Sequence, residues 1–99
     1  MKEKVYGFLK TVPKGKVVTY GQIAEAAGNP KAARAVGNIL HRNPDGENIP
    51  CYKAVDSKGK LSANYAFGGI EKQKEHLEKE GIEVENFRVD LNKYKFCAL

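Results

Sequence analysis

Between Thr19 and Arg42 the chain writes two short helices with a stop between them, and that pattern limits its fold more than any other. Thr19-Tyr20-Gly21-Gln22 has the form of a capping box, with Thr19 as N-cap and Gln22 reaching back to it. The helix it opens carries Ile23, Ala24 and Ala27, and Gly28 stops it. Asn29-Pro30 reads as the start of the next helix, an N-cap followed by a residue whose φ is already helical. That helix is expected to bury Ala33, Val36, Gly37 and Leu40 on one face, with Lys31, Arg34 and Arg42 projecting elsewhere. Two short helices joined by a Gly-Asn turn make a helix-turn-helix, with Arg34 near the N-terminal end of the second helix. Such pairs also occur as plain packing units; the basic decoration of the second helix favours nucleic-acid binding.

The rest of the 99 residues builds around that pair, and a chain of this length holds one core. Val5, Phe8, Leu9 and Val12 recur at helical spacing, which predicts an amphipathic helix ended by Pro13 and Gly15. Lys14 to Val18 form a basic, extended connection. Asn43-Pro44-Asp45-Gly46 is a turn cluster. Lys53–Asp56 and Lys60–Leu61 flank Ser57-Lys58-Gly59, which predicts a small hairpin, a wing following the helix pair. Asn64 to Gly69 is a loop holding Tyr65, Phe67 and paired glycines. A helix over about 70–81 ends at Gly81, with Gln73, Leu77 and Glu80 on one face. Ile82-Glu83-Val84 alternates like a strand, and Asp90 caps a final turn through Lys93 to Phe96.

Charge divides the chain. Residues 1–42 hold eight Lys or Arg against Glu3 and Glu25, whereas residues 43–99 hold nine against ten acids. Positive charge gathered in one half suits a phosphate-backbone binder, and equally a solvated basic surface. No apolar run approaches a membrane span, and the Met-Lys-Glu-Lys start lacks a signal-peptide core, so a cytoplasmic, intracellular protein is expected. His41 and His76 stand alone, so neither metal nor cofactor is expected. Cys97 is placed in a mobile tail, unpaired with Cys51.

Cys51 sits in Asn48-Ile49-Pro50-Cys51-Tyr52-Lys53-Ala54-Val55, just after a proline and at the mouth of an apolar segment. Proline biases its predecessor to an extended conformation, which puts the cysteine on a turn and not inside a helix. Two readings remain open from these residues: a buried structural thiol, or a nucleophile beside a nucleic-acid-binding surface.

These motifs together resemble the DNA-binding and active-site domain of the O6-alkylguanine-DNA alkyltransferases, the methylated-DNA–protein-cysteine methyltransferases. The resemblance runs from about Lys4 to Gly81. Its anchors are Thr19 to Ala24, Gly28 to Gly37, Asn43-Pro44, Ile49-Pro50-Cys51, Gly68-Gly69 and Glu80-Gly81. It implies a mainly α fold with a small β-hairpin, a winged helix-turn-helix-like single domain over 1–99. Within it lie the helix-turn-helix at about 19–42, the reactive-Cys turn and wing at about 43–62, and the C-terminal helix at about 70–81. The additional N-terminal domain common in the family is expected to be lacking. The compact form is similar to the alkyltransferase-like proteins, a sister group of lesion sensors that replace the cysteine.

The resemblance implies direct, stoichiometric transfer of an alkyl group from O6 of guanine in double-stranded DNA to Cys51 after base flipping, by a monomer working in the minor groove. Arg34 would fill the gap left by the flipped nucleotide, and Tyr20 would press on the adjacent phosphate. Lys31, Ala33 and Gly37 would complete the DNA-binding set. Asn43 would tie the recognition helix to the cysteine turn. Ala54, Tyr65 and Gly68 would line the base pocket. The family couples its cysteine through water to a histidine and then to a glutamate. Glu80 fits the glutamate, but Tyr52 stands where the histidine should be, and Gln73 where a lysine is common. A phenol is no general base at neutral pH, so the alternative is a lesion-recognition protein with little or no transfer.

Overall fold

The computed structural model describes residues 2–43, 48–62 and 68–96. Pro44, Asp45 and Gly46 of the turn cluster, Tyr65 and Phe67 of the loop, and Cys97 lie outside them. Helix α1 (Lys2–Thr11) buries Val5, Tyr6 and Leu9, with Val12 just beyond its end. Tyr6 joins this face because its ring packs inward while its hydroxyl donates to the Ile39 carbonyl at 2.8 Å. Pro13 stops the helix, as the sequence predicts.

The capping box forms in full at the start of α2 (Tyr20–Ala26). Gln22 N–H donates to Thr19 Oγ1 at 3.1 Å, and Thr19 N–H donates to Gln22 Oε1 at 2.9 Å. At the other end Gly28 takes φ +84°, which lets Asn29 N–H close back onto the Ala24 carbonyl at 3.0 Å. Helix α3 (Ala33–His41) begins later than the Asn29-Pro30 signal predicts. The Asn29 carbonyl accepts from Ala32 N–H at 3.0 Å, so Asn29-Pro30-Lys31-Ala32 closes as a turn with proline at its second position. Ala32 stands at the N-cap without a side-chain acceptor. Val36 and Leu40 face the core. Ala33 and Gly37, on the same side of the helix, are only half-buried because they border a cleft that Leu40 also lines.

Strand β1 (Val18–Thr19) pairs in parallel with β2 (Ala54–Val55), Val18 against Ala54 and Thr19 against Val55. On the other side Val17 bridges to Lys95: Val17 N–H donates to the Tyr94 carbonyl and Phe96 N–H to the Val17 carbonyl, both at 2.8 Å. Successive strand residues point to opposite faces, so this small sheet separates two cores. Val18 and Ala54 join α1, α2 and α3 with Ile49 and Cys51. Val17 and Val55 join Leu61, Leu77, Ile82, Val89 and Tyr94.

The predicted hairpin is therefore only half present. The turn exists: Asp56 Oδ1 accepts from Lys58 and Lys60 N–H at 2.8 and 2.9 Å, and Asp56 N–H donates to the Lys60 carbonyl at 3.1 Å. Its arms do not form a ladder, because Ala54 and Val55 are sandwiched between the cores while Lys60 bridges to Arg88. Burial on both faces decides against a projecting wing. Ile82–Val84 is likewise no strand. Helix α4 (Gly69–Lys79) ends in a turn where Gly81 at φ +85° lets Ile82 N–H reach the Leu77 carbonyl at 3.1 Å, and the two side chains pack together. Asp90 does cap the last helix, α5 (Leu91–Tyr94), through Asn92 N–H at 2.9 Å. It stops at Tyr94 because the chain beyond is drawn onto Val17.

Glu85 and Arg88 exchange backbone bonds of 2.9 and 3.1 Å around Asn86 and Phe87, whose φ values are +53° and +57°. Both central residues at positive φ define the tight turn that favours Asn-Gly. Phenylalanine occupies the glycine position, 38% exposed, and it is held there by Leu61 N–H on its carbonyl at 2.9 Å. The left-handed region costs a side chain roughly 1–2 kcal/mol. Phe87→Gly is expected to raise stability by about 1 kcal/mol, read as a higher urea midpoint with an unchanged slope.

Candidate active site

Pro50 takes φ −79° and ψ 68°, so Cys51 N–H bends back to the Ile49 carbonyl at 2.8 Å, an inverse γ-turn. A single 3₁₀ turn, Cys51–Lys53, follows at once and leads into β2. The cysteine thus lies on a doubly tightened turn, where the proline places it. Cys51 is 5% exposed and lies in the wall of a cleft of about 630 Å³. Helix α3 supplies one wall through Ala33, Arg34, Gly37, Asn38, Leu40 and His41. Tyr20, Ser62 and Gln73 line the remainder.

Burial pushes the Cys51 thiol above its ordinary pKa, and a hydrogen bond from the Asn43 side chain partly offsets this. Asn43 is itself buried just past the end of α3 and donates its Nδ2 to the Ile49 carbonyl at 2.9 Å. One side chain therefore joins α3 to the segment entering the cysteine turn. Burial also raises the Tyr20 phenol, against a hydrogen bond with the Ser62 side chain that lowers it. With the thiol raised, less of Cys51 is thiolate at neutral pH than the few per cent of an ordinary cysteine.

Tyr52 points away from the core that holds Cys51 and packs against the second core. Its hydroxyl donates to Glu80 Oε2, and its ring stacks on His76 with centroids 4.9 Å apart and planes at 20°. Glu80 Oε1 accepts from Gly15 N–H at 2.9 Å and lies 3.5 Å from Lys53 Nζ. Lys53 is a buried cation that also donates to the Val12 and Pro13 carbonyls at 2.9 and 3.3 Å. The geometry thus brings Glu80 to Tyr52, in the place where the family would have a histidine.

Other expected site residues fall in different places. Arg34 is exposed at the cleft rim, on the first turn of α3. Lys31 is exposed in the turn before α3 and does not line the cleft. Ala54 is buried behind the cysteine turn, its carbonyl accepting from Gln73 Nε2 at 2.9 Å. Gly68, at φ +121°, is the residue before α4 and is not among the described cleft-lining residues. Sequence reasoning missed Asn38, His41 and Ser62 as cleft residues, and Lys53 as a buried cation. Asn38 and His41 could have been found, since they follow Arg34 at i+4 and i+7 on one face of α3; Ser62 and Lys53 are placed by contacts with distant segments. Among the described residues no cluster of three His, Cys, Asp or Glu side chains could hold a metal, and no helix is long and apolar enough to cross a membrane.

A sequence model of the 6-O-methylguanine DNA methyltransferase DNA-binding domain matches residues 1–82. The chain belongs to this family. The match contains α1 to α4, Cys51 and Glu80. A bifunctional methyltransferase/endonuclease of Picrophilus torridus is 48% identical over 92 residues, covering 93% of this chain but 30% of that protein. A DNA base-flipping protein of Vibrio parahaemolyticus is 40% identical and covers 94% of this chain and 92% of its own length. Among solved structures, Schizosaccharomyces pombe Atl1 in complex with damaged DNA containing O6-carboxymethylguanine superposes with a TM-score of 0.89 at 31% identity. That alignment covers 98% of this chain and 94% of Atl1. Family members thus include methyltransferases and base-flipping proteins alike.

Four outcomes are expected from the site geometry. The reaction of Cys51 with iodoacetamide should rise with pH through a midpoint above that of an ordinary thiol, and Asn43→Ala should move it further up, because a bond that lowers the pKa is lost. Glu80→Gln should destabilise the fold by about 3 kcal/mol in urea unfolding, since it leaves a buried ammonium without its carboxylate. Tyr52→Phe should cost less, about 2 kcal/mol, the worth of one hydrogen bond to a buried carboxylate.

Proposed function

We propose that this chain repairs DNA by taking an alkyl group from O6 of guanine onto Cys51, once per molecule. The observation that carries the proposal is a cysteine in the wall of a cleft that α3 flanks with an arginine at its rim. In the reaction the sulfur lone pair forms the S–CH₃ bond as the O6–CH₃ bond breaks. The electrons return to the guanine oxygen, and the proton that the thiol gives up balances the one the ring regains at nitrogen.

Each cleft residue has a part that its chemistry suits. Arg34 enters the base stack, since its flat guanidinium stacks and hydrogen-bonds at once. Ala33 and Gly37 present little bulk beside it, which lets α3 approach the minor groove closely, and Lys31 meets a phosphate. Tyr20 presses on the phosphate beside the flipped nucleotide. The extruded base then lies against Cys51, in a pocket that sequence-independent minor-groove contacts leave open to any context. The protein works as a monomer inside the cell, on alkylated duplex DNA.

Two observations favour the second reading, a base-flipping sensor with little transfer. Tyr52 commits its hydroxyl to Glu80, and Cys51 is made less acidic by burial. The deciding experiment is intact-protein mass after incubation with a duplex containing O6-methylguanine, with Cys51→Ser as control. A gain of one methyl group, lost in the control, is expected; tight binding with no mass gain makes the chain a sensor. Tyr52→His is expected to speed transfer, as an imidazole accepts a proton near pH 7. Arg34→Ala should weaken binding to the alkylated duplex more than Lys93→Ala, and affinity should fall steeply with salt. Equal losses, or a flat salt response, would remove the DNA reading.

A further inference from the structure

We infer that Gln73 is the positioning residue that aims the Cys51 sulfur, gripping the reactive turn from its exit side as Asn43 grips it from its entry. The inference rests on the alkyl-transfer reading of the site.

Gln73 is 1% exposed, four residues before Leu77 on the inward face of α4. Its Nε2 donates to the Tyr52 carbonyl at 2.8 Å and to the Ala54 carbonyl at 2.9 Å. Its Oε1 accepts from Ser62 N–H at 2.7 Å. The amide's two donor hydrogens and its acceptor oxygen are thus all engaged. No other side chain of that length can do this: glutamate has no donor, lysine no acceptor and methionine neither of useful strength. The residue type is therefore demanded by three backbone groups, and all three belong to segments that border the cleft.

A three-residue 3₁₀ turn needs such a partner. Too few of its carbonyls find bonds within so short an element, and those of Tyr52 and Ala54 turn toward the interior. Asn43 fixes the Ile49 carbonyl two residues before Cys51, and Gln73 fixes the carbonyls one and three residues after it. Between these grips the backbone carrying Cys51 has no freedom to rotate, so the direction of the Cα–Cβ bond is set. In-line attack on a small carbon depends on that direction, and a misplacement of about 1 Å costs on the order of 10²-fold in rate. Ser62 extends the arrangement, because its N–H is held by Gln73 while its side chain bonds the Tyr20 phenol at the cleft wall. The residue that lines the base's approach and the turn that holds the nucleophile are thus referenced to one amide.

The test uses the full chain in a Cys97→Ser background. Single-turnover transfer from an O6-methylguanine duplex is measured against DNA concentration, and alkylation of Cys51 by iodoacetamide is followed without DNA. Gln73→Met keeps the length and removes all three bonds; Gln73→Glu keeps only the acceptor for Ser62. For both, the maximal transfer rate should fall by about 10- to 100-fold, while the half-saturating DNA concentration stays within about threefold. Iodoacetamide, a small reagent that no DNA contact holds in one orientation, should react at the parent rate with the parent pH midpoint. An unchanged transfer rate in either variant overturns the inference. So does a parallel change in both reactions, the sign that Gln73 only supports the fold. If one variant fails to unfold cooperatively in urea, the other decides. Absence of a methyl adduct on the parent chain would instead sink the transfer reading itself, and the aiming role with it.

Discussion

Glu80 accepts from three directions at once, and the architecture depends on that one carboxylate. It stands where α4 ends, takes Gly15 N–H from the segment after α1, takes the Tyr52 hydroxyl from the reactive turn, and faces the Lys53 ammonium. Lys53 in turn donates to the Val12 and Pro13 carbonyls just past the end of α1. Three pieces of chain far apart in sequence are thereby joined through charges that are 7% and 11% exposed. In such a place a missing partner costs more than the pair contributes, because the remaining charge has lost its water.

This knot constrains the chemistry. Consecutive residues of the cysteine turn serve different masters: Cys51 faces the helical core and the cleft, whereas Tyr52 and Lys53 reach back to Glu80. The same burial that makes the turn rigid disfavours the thiolate. For the proposed transfer, alignment of this sulfur would count as much as its acidity, and the Asn43 and Gln73 amides are the groups placed to supply it. Both bond backbone carbonyls on either side of Cys51, and Asn43 also hydrogen-bonds the thiol itself.

Much of this was legible in advance. The capping box at Thr19 and Gln22, the stops at Gly28 and Gly81, and the Asp90 cap are local hydrogen-bond arrangements, complete within a few residues. So is the placement of Cys51 on a turn after Pro50. Gln73 on the face of Leu77 follows from helical spacing, and the nearness of Glu80 to the turn followed from the family resemblance. Other features were not legible, because their causes are non-local. Asn29-Pro30 carries a good helix-start signal, yet the Asn29 carbonyl is taken by Ala32 and α3 begins at Ala33. Ala54-Val55 reads as a hairpin arm, but burial on both faces assigns it to β1. Ile82 looks like strand and is the closing contact of a helix cap.

By itself, then, the sequence determined which segments are helical, where they stop, and that a cysteine lies on a turn after a proline, downstream of a basic helix pair. Those outcomes rest on dihedral preferences and on bonds spanning three to five residues. Only the tertiary structure decided what each polar side chain is for. Whether Gln73 grips a turn or wets a surface, whether Lys53 is solvated or buried, and whether Tyr52 faces Cys51 or Glu80 depend on which distant carbonyl or carboxylate arrives beside it. The small parallel sheet and the bridge beside it contribute to those meetings by bringing residues 17–19, 54–55 and 94–96 side by side.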